Sequence, residues 1–169
     1  MTRRLTKHEA AAAAASAIPI PSGQPPDRSV RTALVGEDPA GHRASASLEA
    51  PTLVLFLSMT CDGCADLADL VRNGIPDAAV LGVLRRPVGG LPDVEVDAFV
   101  GDGGRWLLGD DPFLALDIRS GPFFCLIGEG GSVLIEGVAF GATHVGAHVV
   151  DAIAGRPRPD AARLEPRAR

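Results

Sequence analysis

The stretch Thr52–Asn73, TLVLFLSMTCDGCADLADLVRN, contains three local patterns that together decide the fold. The apolar run Leu53–Leu57 is long enough to form a strand that is buried on both faces. The motif Cys61-Asp62-Gly63-Cys64 follows after three polar or flexible residues. Beyond it, apolar residues recur at helical spacing, at Leu67, Ala68, Leu70 and Val71. The sequence therefore predicts a buried strand, a short loop and a helix whose first turn carries both cysteines.

The predicted position of the two cysteines has chemical consequences. The N–H groups and the positive dipole end at a helix start stabilise a thiolate, which is the reactive form of cysteine. In such a motif the first sulfur is exposed, and the second lies one turn further on, within reach of the first. We therefore assign Cys61 as the attacking thiol and Cys64 as the resolving thiol.

Asp62 acts on the same site in two opposite ways. A carboxylate beside a thiolate raises the pKa of the thiol, whereas the same carboxylate complements the dipole of the helix. Because destabilising the thiolate disfavours the dithiol form, we expect a reducing rather than a strongly oxidising couple.

Length and composition restrict the class of protein. The chain has 169 residues, with 46% hydrophobic and 22% charged residues, which fits one globular domain with tails. The net charge of −5 provides no basic surface for nucleic acid. Three cysteines are too few for a disulfide-stapled secreted scaffold. No apolar stretch reaches the length of a transmembrane span, so we expect no membrane insertion.

The two ends of the chain differ in character from its centre. Residues 1–29 are rich in alanine and proline and are predicted to form a disordered tail, and residues 156–169 a polar, Arg/Pro-rich tail. Arg3-Arg4 followed by Ala10–Ala15 resembles a twin-arginine export signal. Because His8-Glu9 interrupts a short apolar region, the sequence favours the cytoplasm, with export as the alternative.

The domain between these tails, residues 30–155, has a predicted order of elements. A hairpin of Val30–Val35 and Ala44–Leu48 precedes the buried strand, and Ala78–Leu84 forms a second core strand parallel to it. Further on, we predict two short elements for which the sequence does not decide between helix and strand. A helix with Asp110 as N-cap, a hairpin and a last helix with Thr143 as N-cap follow. These elements cover Val94–Val100, Trp106–Leu108, Pro112–Ile118, Phe123–Ile127 with Ser132–Phe140, and His144–Ala154.

This order of elements resembles the thioredoxin fold, and more narrowly the TlpA-like branch and the redoxin-like accessory proteins of methylamine utilisation. Three matches carry the resemblance, which spans about Val30–Ala154: the Cys61–Cys64 motif, Pro122 before an apolar strand, and the glycine-rich closing hairpin that ends at Gly141. The resemblance implies an α/β fold with a central mixed sheet flanked by helices. It also implies that Pro122 is a cis-proline facing the dithiol, and that Gly141 belongs to a loop beside the active site.

The sequence departs from the family at three positions around this site. Thr60 replaces the aromatic residue that often precedes the first cysteine, and Leu55 stands where thioredoxins proper keep a buried acid. Gly121 precedes Pro122, where a β-branched residue is frequent. With Asp62 and Gly63, the residues Thr60, Gly121, Pro122 and Gly141 are our candidates for shaping the site and binding substrate.

The resemblance and the motif predict a thiol–disulfide oxidoreductase that exchanges two electrons with a protein or a small-molecule thiol or disulfide. The resemblance implies no cofactor and no resident metal. The alternative is a thioredoxin-fold binding or accessory module with little or no redox turnover.

Two further alternatives stay open. A zinc-binding module needs four ligands, for which only Cys125 and the pair His144 and His148 remain. A peroxidase of the peroxiredoxin type needs a proline where this chain has Val54.

Several other residues have simpler interpretations. Cys125 is interpreted as a small core residue, His144 as a polar residue on an exposed first turn, and Trp106 as a packing anchor. The respective alternatives are a third redox centre, a role in the site and a docking role for a partner. The acidic residues of the central region form a solvated face in this interpretation: Asp93, Glu95, Asp97, Asp102, Asp110 and Asp111.

Overall fold

The core of the molecule is a mixed sheet with helices on both faces. The computed structural model describes residues 29–49, 51–86 and 93–155, with the side chain of Asp93 excepted. Apart from Ser29, the two predicted tails lie outside the described residues. The segment that resembles an export signal lies outside them as well. The strands are β1 Ala33–Glu37, β2 Arg43–Ser47, β3 Thr52–Ser58, β4 Ala79–Arg85, β5 Arg105–Leu108, β6 Phe123–Ile127 and β7 Val133–Val138. The helices are α1 Cys64–Asn73, α2 Asp93–Val100, α3 Asp111–Ala115 and α4 Ala142–Ile153.

The strand order places the cysteine-bearing segment at the centre of the sheet. The seven strands run in the order β2-β1-β5-β4-β3-β6-β7. The three middle strands β3, β4 and β5 are mutually parallel, whereas β6 runs antiparallel to β3 and β7 antiparallel to β6. The predicted amino-terminal hairpin is confirmed as the antiparallel pair β1–β2, joined to the sheet through β5.

The strand β3 is buried on both faces, as its sequence predicts. Leu53, Leu55 and Leu57 point into one hydrophobic cluster, and Val54 and Phe56 point into the other. Burying a side chain of this size contributes about 1.5–3 kcal/mol, so β3 stabilises both layers of the molecule. The two-sided burial also fixes the end of β3, from which the cysteine loop departs.

The helices divide between these two clusters. The helices α1, α2 and α4 contribute Leu67, Val96 and Val145, among others, to the cluster that contains Cys64. The short helix α3 packs Phe113 on the opposite face, together with the hairpin residue Leu34. The prediction of a central mixed sheet flanked by helices is confirmed.

The element left open at Val94–Val100 is a helix. Its valines alternate as in a strand, but Val96 and Val100 are buried four residues apart while Val94 is exposed, which is helical spacing. The second open element is the strand β5.

Three predicted helix starts or ends require correction. The prediction that Thr143 caps the last helix is wrong: Gly141 takes this position with φ of 138°, a value that favours glycine, so the helix begins earlier. The helix predicted over Pro112–Ile118 ends at Ala115. The helix α1 begins at Cys64, so Cys61 lies in the preceding turn and not within the first helical turn.

Among the described residues, none of the helices combines the length and the apolar character needed to cross a lipid bilayer.

Candidate active site

The two cysteines of the motif form a disulfide at the start of α1. Cys61 and Cys64 are bonded through their sulfurs, with their Cα atoms 5.4 Å apart. A turn brings them together, since the Cys64 N–H donates to the Cys61 carbonyl at 3.1 Å. The Cys61 N–H in turn donates to the Ser58 carbonyl at 3.3 Å, which ties the loop to the end of β3.

The two sulfur-bearing residues differ sharply in exposure. Cys64 is 0% exposed and belongs to the hydrophobic cluster on the α1 face, whereas Cys61 is only half-buried. The difference follows from the turn, because Cys64 is the first helical residue and points with Leu67 and Ala68 toward the sheet. A partner can therefore reach Cys61 far more easily than Cys64.

The residues around the pair are small or polar and face solvent. Thr60, Asp62 and Gly63 are exposed, and Gly63 occupies the N-cap position of α1. The Thr60 and Ser58 hydroxyl oxygens lie 3.0 Å apart and share a hydrogen bond. The absence of an aromatic residue at position 60 therefore leaves a polar rim beside Cys61.

The Leu55 side chain occupies a wholly buried position in the same cluster as Cys64. Thr52 is the one buried polar residue in the described part of the chain, so the core around Cys64 supplies no buried carboxylate. An apolar environment disfavours a charged thiolate at Cys64.

The segment Gly121–Pro122 lies beside the end of β3. Its peptide bond is cis. A Cβ atom placed on Gly121 would lie 2.6 Å from the Phe56 carbonyl oxygen, so only glycine allows the backbones to approach so closely. The Pro122 carbonyl accepts a hydrogen bond from the Ala139 N–H at 3.1 Å, which joins the segment to the end of β7. The fold thus brings two of the predicted site residues next to the strand that leads to Cys61.

Arg85 holds the loop that precedes Gly121, a contact that the sequence analysis missed. Its guanidinium donates to the Arg119 carbonyl at 2.8 Å and pairs with the Asp110 carboxylate at 2.8 Å. The same group lies 4.1 Å from the centroid of the Phe113 ring. No local sequence signal could have identified Arg85, because its backbone partner lies 34 residues further along the chain. Asp110 is therefore more than a member of a solvated acidic face.

Gly141 lies beside the outer face of α1. It lines an open groove of about 730 Å³ together with Asp66, Asp69 and the half-buried His144. Phe140, at the same groove, is 81% exposed. The sequence does not indicate that Phe140 is exposed, because its exposure depends on the turn between β7 and α4.

The remaining cysteine lies on the opposite face of the sheet from the disulfide. Cys125 is fully buried in the cluster that contains Phe113, and its sulfur lies 4.0 Å from the Glu136 carboxylate. Its interpretation as a small core residue is confirmed, and the sheet separates it from Cys64.

Trp106 is also buried, with its ring 6.1 Å from that of Phe99. The prediction that it anchors the packing of this region is confirmed.

His144 is more enclosed than the sequence indicated. It lies on the first turn of α4 but is half-buried among the rings of Phe124, Phe140 and His148. Within residues 29–49, 51–86 and 93–155, no three His, Cys, Asp or Glu side chains form a group that could hold a metal ion.

Comparison with known proteins identifies the fold. The sequence matches no protein-family model and no curated protein. Solved structures do match. A putative thiol:disulfide interchange protein DsbE from Chlorobium tepidum has a TM-score of 0.57 and 15% identity, covering 76% of this chain and 96% of its own.

Two further structures agree with this match. A secreted Mycobacterium tuberculosis disulfide oxidoreductase, described as homologous to E. coli DsbE, has a TM-score of 0.54 and 15% identity, over 69% of this chain and 93% of its own. StoA from Bacillus subtilis has a TM-score of 0.53 and 13% identity, over 72% and 99%. At these identities the likeness shows the fold, and the predicted thioredoxin-like fold is confirmed.

Proposed function

We propose that this protein is a thiol–disulfide oxidoreductase that works through Cys61 and Cys64. The observation that carries the proposal is the disulfide between one half-exposed and one buried cysteine at the start of α1. The thioredoxin-like fold supports it, as does the likeness to two structural neighbours that are described as a disulfide oxidoreductase and a putative thiol:disulfide interchange protein.

The exchange proceeds in two balanced steps. In the reduced protein, the Cys61 thiolate attacks a partner disulfide, forming a mixed disulfide and releasing one partner thiolate, which takes up a proton. The Cys64 thiolate then attacks the Cys61 sulfur, which reforms the Cys61–Cys64 bond and releases the second partner sulfur as a thiolate, which takes up the second proton. Two electrons and two protons pass from the protein to the partner.

The different exposure of the two cysteines gives them different roles. Cys61 takes the attacking role because it is the accessible member of the pair, and the buried Cys64 reaches only the Cys61 sulfur of the mixed disulfide. In this proposal Thr60, Asp62 and Gly63 form the polar rim that a partner contacts. Gly121 and Pro122 present backbone beside the dithiol to an extended partner segment, and Gly141 borders the groove next to it.

Trapping with single-cysteine variants tests the proposal. With a disulfide such as oxidised glutathione, Cys64→Ser should accumulate a mixed disulfide on Cys61, and Cys61→Ser should not. Cys125→Ala, on the opposite face of the sheet, should exchange like the parent protein. If the parent protein reduces no protein or small-molecule disulfide and Cys64→Ser traps none, the chain is instead a thioredoxin-fold binding module.

We further propose a cytoplasmic location, with export as the alternative. Fractionation of cells, with the mass of the mature amino terminus, tests it. Recovery of a shortened chain outside the cytoplasm would support export.

A further inference from the structure

His144 and His148 bring two imidazole nitrogens together on one face of α4. Their Nε2 atoms lie 3.1 Å apart, and their ring centroids 4.5 Å apart with an interplanar angle of 79°. Their spacing of four residues places both side chains on the same face of the helix. Both are half-buried.

From this geometry we propose that His144 and His148 bind one divalent first-row transition ion, Cu²⁺ most tightly. Two imidazole nitrogens at about 2.0–2.1 Å from a common ion, at angles of about 90–110°, lie roughly 2.8–3.4 Å apart. The Nε2 separation of 3.1 Å falls within that range. The separation of the two nitrogens therefore meets the distance requirement for binding one ion between them.

The aromatic neighbours hold the two rings close to this arrangement. The Phe124 ring stacks on His148 with an interplanar angle of 15° and a centroid distance of 6.3 Å. The Phe140 ring meets the edge of His144 at 5.3 Å. Because both imidazoles are already restricted, binding an ion costs less side-chain entropy than at two exposed histidines.

The chemistry of the ligands selects the ion. Imidazole nitrogen suits Cu²⁺, Ni²⁺ and Zn²⁺, and the affinity for a given site rises from Ni²⁺ to Cu²⁺ and falls again at Zn²⁺. No third His, Cys, Asp or Glu joins the pair in the described part of the chain, so water fills the remaining positions. Asp66 and Asp69 line the groove beside His144. Asp69 is paired with Arg72, so the charge of Asp66 is the one that raises the local concentration of cations.

The cysteines do not compete for the ion in the oxidised protein. In the oxidised protein the Cys61 and Cys64 sulfurs are bonded to each other, and Cys125 lies on the other face of the sheet. The inference goes beyond the proposed function and is tested without any redox turnover.

Metal titration of the oxidised full chain provides the test. Calorimetry with Cu²⁺ and with Zn²⁺ should give one ion per chain, and His144→Gln or His148→Gln should weaken binding at least about tenfold. The matched control is the double variant His8→Gln/His42→Gln, which removes the other two of the four histidines and should bind like the parent protein. Electron paramagnetic resonance of the Cu²⁺ form should show coupling to two imidazole nitrogens, and to fewer in either single variant.

Two outcomes overturn the inference. One is equal affinity in the parent protein and in folded His148→Gln, which would leave the 3.1 Å contact as a hydrogen bond between two rings. The other needs no variant: if excess Zn²⁺ and excess Cu²⁺ both fail to raise the thermal midpoint of the parent protein, the folded state binds neither ion.

Discussion

Ser58 and Arg85 lie opposite each other at the ends of the neighbouring parallel strands β3 and β4. Ser58 begins the turn that carries Cys61, and Arg85 holds the loop that carries Gly121 and Pro122 through the Arg119 carbonyl. The two halves of the candidate site are therefore joined to adjacent positions of one sheet.

Replacing Arg85 should weaken both the fold and the site. Arg85→Gln removes the ion pair with Asp110, the hydrogen bond to the Arg119 carbonyl and the contact with the Phe113 ring. We expect the free energy of unfolding to fall by about 1–3 kcal/mol, since one hydrogen bond of a charged group, an ion pair and a cation–π contact are lost. Urea denaturation measures the stability. The rate of exchange with a model disulfide, measured without urea at a temperature where both proteins are folded, reports the activity of the site.

The neighbouring arginine provides the control. Arg86 pairs with Glu37 at 3.4 Å on the surface, where such pairs contribute about 0–1 kcal/mol. Arg86→Gln should therefore leave stability nearly unchanged. Equal losses in the two variants would show that Arg85 acts only through its charge and not through its contacts.

The unequal burial of the two cysteines predicts unequal reactivity after reduction. Iodoacetamide should modify Cys61 first and reach Cys64 much more slowly, because Cys64 is 0% exposed and enclosed by apolar side chains. Mass spectrometry of peptides at successive times measures the order of labelling. Cys125→Ala serves as the background that removes the third thiol. Modification of both cysteines at similar rates in the folded protein would contradict the assignment of Cys61 as the attacking thiol.

Asp62 should make the dithiol more reducing. In Asp62→Asn the loss of a negative charge stabilises the Cys61 thiolate, so the pH midpoint of alkylation should fall and the reduction potential should rise. Asp66→Asn is the control, because Asp66 is also exposed but lies within α1, one turn further from Cys61.

Equilibration with glutathione measures the potential of each form. For the parent protein we expect a reduction potential well below about −120 mV, the value at the oxidising end of the range for proteins of this fold. A parent potential near that end, or an unchanged potential in Asp62→Asn, would refute the role assigned to Asp62.

Gly121 should tolerate no side chain. The Cβ atom of alanine at this position would lie 2.6 Å from the Phe56 carbonyl oxygen, and backbone atoms cannot yield as a flexible side chain can. We expect Gly121→Ala to lower the free energy of unfolding by about 1–3 kcal/mol, the usual cost of overpacking. Gly63→Ala is the matched control, since no atom lies within 4 Å of its added Cβ. Urea denaturation of both variants decides, and equal stability would show that the loop can move away from β3.

Much of the fold was predictable because the decisive signals are local. The run Leu53–Leu57 has to be buried on both faces wherever it lies, and the spacing of Leu67 and Val71 predicts a helix without any knowledge of neighbours. The order of strands, cysteines and Pro122 then restricted the topology to one family of folds. The type of the Val94–Val100 element was not predictable, because its alternating valines fit a strand and only contact with the sheet selects Val96 and Val100 for burial.

The sequence by itself determined which atoms can do chemistry: two cysteines three residues apart, before a helix and after a buried strand. Only the tertiary structure decided how unequal their burial is, which loop Arg85 holds, and that the rings of Phe124 and Phe140 enclose the histidine pair. The physical reason is the separation, along the chain, of the residues that interact. Periodicity and helix formation depend on residues within a few positions of each other, whereas burial and side-chain contacts depend on segments that the sheet brings together from distant parts of the chain.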